Sequence, residues 1–158
     1  MNMVRSIDRR AALLLIGAAF AGPRAVTLAL AATPGIANED GLAIKGYDPV
    51  AYWTESRPVK GDPLVTYRWG GVEWRFASPS NRDMFIQNPE KFLPQFGGYC
   101  SYGMSLGRPL QPDPTQWRIV QDKLYLHNNA NALQRWVQDI PGMIAKANEN
   151  WPKVKAAP

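Results

Sequence analysis

The chain has 158 residues, 46% of them hydrophobic, with one cysteine, one histidine and a formal net charge of +5. That length suits a single domain, and a lone cysteine excludes an intramolecular disulfide framework together with zinc-ribbon and iron–sulfur sites. No repeat or low-complexity block occurs, which removes solenoids and disordered modules.

The first 31 residues read as an export signal. Arg5, Arg9 and Arg10 precede the apolar run Ala11–Ala21, and Ala29-Leu30-Ala31 offers small residues for cleavage. The run falls short of the ~20 residues a spanning helix needs, so no stable membrane span is expected once the leader is cut. Arg9-Arg10 resembles a twin-arginine signal, although Asp8 and Ala12 depart from its pattern; the general secretory route is the alternative. Both routes lead to the periplasm or outside the cell. The leader carries four basic residues and one acidic, so the remainder holds 14 basic and 12 acidic residues and a net charge of +2. Nucleic-acid binding thereby loses its electrostatic support.

Residues 32–41 are polar and small and are expected to be a flexible lead-in to a domain over 42–152, with a tail at 153–158. Asp48-Pro49 predicts a short helical turn. Leu64–Trp69 and Val72–Ala77 flank Gly70-Gly71, a pair that accepts the positive φ angles of a tight hairpin turn. Val72, Trp74 and Phe76 alternate with Glu73 and Arg75, giving the second strand one buried face. Ser78-Pro79 and Asn88-Pro89 place a capping side chain before a proline, which predicts helices over Pro79–Gln87 and Pro89–Pro94. Asp113-Pro114 predicts one more helical turn by the same rule.

Trp117–Val120 and Leu124–His127 form a second expected hairpin, with Leu124 and Leu126 on one face and Tyr125 and His127 on the other. A last helix is expected from about Ala130 to Asn150, bent near Pro141-Gly142. Leu133, Trp136, Val137, Ile140, Ile144 and Ala147 would form its core face. The fold class is α+β: one small domain, two β-hairpins packed against several short helices and a bent C-terminal helix. All six tryptophans lie beyond the leader, and core packing is their first explanation, since each buried aromatic removes ~150–250 Å² from water.

Gly46-Tyr47-Asp48-Pro49-Val50-Ala51-Tyr52, Phe76-Ala77-Ser78, Asn88-Pro89-Glu90-Lys91-Phe92 and Gly97-Gly98-Tyr99-Cys100 together resemble the YHS-domain family, in its exported single-domain branch. Leu124-Tyr125-Leu126 and Asn150-Trp151-Pro152 extend the likeness, which spans about residues 40–152. Short YHS domains similar to those fused to heavy-metal-transporting ATPases carry three cysteines in this framework. Those positions fall here on Ala51, Ala77 and Asn81. The resemblance therefore implies the fold without that metal site.

Metal chemistry, if present, must use other donors. Cys100 follows a Gly-Gly-Tyr turn, and a thiolate suits Cu(I). Met104 lies one helical turn on, so both sulfurs share a face if the segment is helical, and His127 supplies the only imidazole. Cys100, Met104 and His127 are the candidate metal ligands, copper the candidate cofactor, and Met84 a spare thioether. Against this, cysteine and methionine are common core fillers, although a lone exposed thiol is a liability in an oxidising compartment. A Cys100–His127 nucleophile pair oriented by Asp113 or Asp122 rests on residue types alone, so no catalytic residue is assigned and an enzyme is not expected. Asp48 and Asp113 are read as helix caps. The alternative to copper is a metal-free module that holds a small ligand or a protein partner in an aromatic cleft near Gly97–Tyr102, with Tyr99, Tyr102 and Tyr125 as candidate lining.

Overall fold

A computed structural model describes residues 35–156. The expected leader, its cleavage site and residues 32–34 lie outside the described residues. The fold is α+β, with one four-stranded sheet, one two-stranded sheet and six α-helices among the described residues. Asn38–Glu39 (β1) and Leu42–Ala43 (β2) join Asp62–Trp69 (β3) and Val72–Phe76 (β4) in the order β1-β2-β4-β3. The β3–β4 hairpin turns at Gly70 and Gly71, whose φ angles are 59° and 79°, and Trp69 pairs with Val72. Val72, Trp74 and Phe76 are fully buried or nearly so, as the alternation requires.

The segment expected to be a flexible lead-in is built into the domain from residue 35 onward. Ile36 and Ala37 are buried, and the Ala37 N–H donates to the Gly97 carbonyl at 2.9 Å. Gly97 sits at φ +62°, and a Cβ there would stand 1.7 Å from the Gly35 carbonyl oxygen, so only glycine permits this crossing. The short polar stretch hid two apolar residues whose partners lie far along the chain.

Ala51–Thr54 (α1) follows Asp48-Pro49. Pro79–Gln87 (α2) and Pro89–Phe92 (α3) begin where the capping rule places them: Ser78 Oγ accepts from the Asn81 N–H, and Asn88 Oδ1 from the Lys91 N–H. Ser101–Ser105 (α4) then precedes the second hairpin, Asp113–Val120 (β5) and Lys123–His127 (β6). The helical turn expected at Pro114 does not form. Asp113 Oδ1 accepts from the N–H and hydroxyl of Thr115, an Asx turn that leaves the chain extended. Asp113 pairs with His127 across the sheet, and the Pro114 carbonyl accepts from the Tyr52 hydroxyl at 2.8 Å.

The C-terminal helix is two helices rather than one bent helix, Ala130–Trp136 (α5) and Ile140–Lys155 (α6). Asp139 caps the second through the Gly142 N–H, and Pro141 occupies its first turn, so the sequence around Pro141 starts a helix instead of kinking one. Val137, expected on the core face, lies in the break and is exposed. The helix continues through Pro152 into the expected tail, as far as Lys155.

Two hydrophobic cores result. One gathers Val72, Trp74, Phe76, Phe85, Leu124 and Leu126; the other gathers Phe96, Met104, Tyr125, Trp136 and Ala147. Strand β6 stands between them, and its alternating faces are both buried. The turn that joins it to β5 places Gln121 and Asp122 at φ 51° and 53°, a double left-handed conformation that suits Asn-Gly. The double substitution Gln121→Asn/Asp122→Gly is expected to raise the unfolding free energy by ~1 kcal/mol through relief of that backbone cost. Urea denaturation of the two proteins side by side measures it.

Candidate functional site

Cys100 and Met104 lie at the start of α4 and within it, and His127 ends β6, a strand that α4 and α5 both contact. All three side chains are fully buried. Cys100 is the N-cap of α4, and its sulfur accepts from the Gly103 N–H at 3.3 Å. The thiol also donates to Asn128 Oδ1 at 3.4 Å, one residue past His127. The Met104 N–H donates to the Cys100 carbonyl at 2.8 Å, which places the two sulfurs one helical turn apart, as their spacing predicts. Met104 shares the second core with Trp136, and the Trp136 ring packs on the His127 imidazole with centroids 4.9 Å apart. Met84 lies elsewhere, partly exposed on α2.

The electrostatics of the two titratable members differ. Burial pushes the Cys100 thiol up, while the backbone N–H groups of Gly103, Asn128 and Tyr102 pull it down. Burial, and then the Arg118 charge, hold His127 down to about 3. The imidazole is therefore neutral across the physiological range and keeps one lone pair free.

His127 also lacks partners. Neither Nδ1 nor Nε2 makes a hydrogen bond, and Trp136 Nε1 and Ser101 Oγ are buried without partners as well. Trp53 Nε1 is the remaining such atom among the described residues. A buried unsatisfied polar group costs ~1–3 kcal/mol, and four such atoms lie on α4, β6 and α5. Periodicity could not reveal this. It predicts the face His127 occupies but not that its nitrogens find no acceptor or donor.

The catalytic pair is not assembled. The Cys100 thiol donates to Asn128 rather than to His127, and Asp113 is engaged by Thr115. Asp122 belongs to the β5–β6 turn. Among the described residues no group of three or more His, Cys, Asp and Glu side chains comes together to hold a metal ion.

Asp48 is not the cap of α1, whose N-cap is Val50 without a side-chain hydrogen bond. Its fully buried carboxylate accepts from the Val50 N–H at 2.8 Å, the Ala77 N–H at 2.8 Å and Asn81 Nδ2 at 2.6 Å, tying the loop before α1 to the end of β4 and to α2.

The aromatic cleft is displaced from its expected lining. Tyr99 and Tyr102 pack on the second core, and Tyr125 lies within it. The cleft beside Gly97 has a volume of about 240 Å³ and is walled by Trp69, Trp74 and Trp151, with Ile36, Leu93 and Pro94.

No protein-family model matches the chain, and no curated protein or solved structure matches it. No helix among the described residues is long and apolar enough to cross a membrane.

Proposed function

We propose that the chain is an exported, non-enzymatic protein of the YHS-domain type that binds a soft transition metal, copper(I) first, through Cys100, His127 and Met104. The observation that carries this reading is His127, fully buried and neutral, with both ring nitrogens unpartnered. A neutral imidazole is the ligand form of histidine, and the thiol and thioether one helical turn apart are soft donors suited to Cu(I). Metal binding requires the thiol to lose its proton. The three N–H groups directed at the sulfur favour the thiolate once burial is offset by a cation.

An anaerobic Cu(I) titration against a competing chromogenic chelator tests the reading, with Cys100→Ala and His127→Phe in parallel. One equivalent is expected to be withdrawn from the chelator. Affinity should fall by roughly a hundredfold in either variant, at least the cost of disturbing a metal's supporting shell. Binding no tighter than the chelator permits, or unchanged by both substitutions, overturns it.

A further inference from the structure

A cleft away from Cys100 is lined by three tryptophans and one lysine. The cleft beside Gly97 is formed where the tip of the β3–β4 hairpin, the segment after α3 and the last turns of α6 come together. Trp69 and Trp151 are half-buried, whereas Trp74 is 1% exposed and serves as a wall, its indole N–H held by the Trp69 carbonyl at 3.2 Å. Trp151 is fixed edge-on against Phe96, with centroids 6.2 Å apart. Chain segments approach closely around the cleft at Gly35, Gly70 and Gly97. A Cβ at Gly70 would meet Ile36 Cδ1 at 2.5 Å, and one at Gly97 would strike the Gly35 carbonyl.

One charged residue reaches this cleft. Lys155 extends from the end of α6 across Gly35, where its Cγ would lie 3.0 Å from a Cβ on that glycine. None of the salt bridges among the described residues involves it. A wider hollow of about 570 Å³ beside the β5–β6 turn is lined by Val120, Ile140, Pro141 and Ile144, with neither an aromatic nor a charged side chain. Its polar side chains are the amides of Gln121 and Asn148.

From these features we infer that the Trp69–Trp74–Trp151 cleft binds a small planar organic anion: one or two fused aromatic rings carrying a carboxylate. Indole faces favour stacked or edge-on rings, the volume falls just below the ~300–1,000 Å³ usual for small-molecule sites and so suits a small ligand, and Lys155, which lines the cleft, carries the charge complementary to an acid group. The inference does not depend on the copper reading, since the two sites share no residue.

The test titrates the full chain with 2-naphthoate and, separately, with its uncharged counterpart 2-naphthalenemethanol, following tryptophan fluorescence. Saturable binding of the naphthoate is expected. Trp151→Ala should weaken it roughly tenfold, the loss of one aromatic contact. Lys155→Gln should weaken naphthoate about threefold to fivefold, the scale of a part-exposed ion pair, and leave the alcohol unchanged. Thermal melts establish that both variants fold, and Lys155→Gln changes only an exposed side chain. Absence of saturation up to millimolar probe, or Trp151→Ala binding like the parent, overturns the site. Naphthoate binding unaffected by Lys155→Gln overturns the anionic ligand class.

Discussion

Asp48→Ala is expected to lower the unfolding free energy by ~3–5 kcal/mol, because three donors lose their only acceptor in a place water does not reach. The Val50 and Ala77 N–H groups and the Asn81 amide all converge on this carboxylate, which has no exposed surface. Small domains are held by ~5–15 kcal/mol, so the variant would approach unfolding at room temperature. Asp48→Asn keeps one acceptor oxygen and should lose about half as much, with an amide N–H₂ now facing a donor. Urea denaturation curves for the three proteins decide the matter. A loss under ~1.5 kcal/mol in the alanine variant would mean that water or a backbone shift satisfies the abandoned donors.

The metal-free protein should lose ~2 kcal/mol of stability between pH 7.5 and 5 through His127 alone. The imidazole is held down to about 3 in the folded state by burial and the Arg118 charge, against ~6.5 when unfolded. The unfolded chain therefore binds the extra proton. Stability is complete above the unfolded value and falls as acid is added, by ~1.4 kcal/mol per pH unit until the folded value is reached. His127→Phe fills much of the same volume, retains a ring against Trp136 and removes the titration. Its stability should be flat over this window, while the parent's declines. Chemical denaturation at several pH values measures both, and parallel declines would assign the acid sensitivity to other groups.

Local chemistry made much of this architecture legible. Gly70-Gly71 marked the first hairpin, and Ser78 and Asn88 marked two helix starts, because a turn or a cap is decided by neighbouring residues. Asp113-Pro114 shows the limit of that logic. The same dipeptide that opens a helix elsewhere lies in a strand here, since Tyr52 and His127, both distant in sequence, hold it extended. Ile44 is another case. A β-branched residue at φ 38° contradicts local preference and is sustained by burial of its side chain in the first core. Of the candidate metal site, the Cys100–Met104 spacing was readable from helical geometry. The placement of His127, on a strand that α4 and α5 both contact, was not, because it depends on how those helices dock on β6. The cleft beside Gly97 is walled by three tryptophans separated by up to 82 positions in the chain, and none of the tyrosines expected to line an aromatic cleft is among its walls.

Strand β6 works as a party wall. Leu124 and Leu126 belong to one core, Tyr125 and His127 face the other, and none of the four has appreciable contact with solvent. A disturbance on one side must therefore move the backbone that supports the other. The four-stranded sheet and the C-terminal helices cannot melt as separate units while they share this strand. A guest seated beside His127 would accordingly brace the half of the molecule it does not touch.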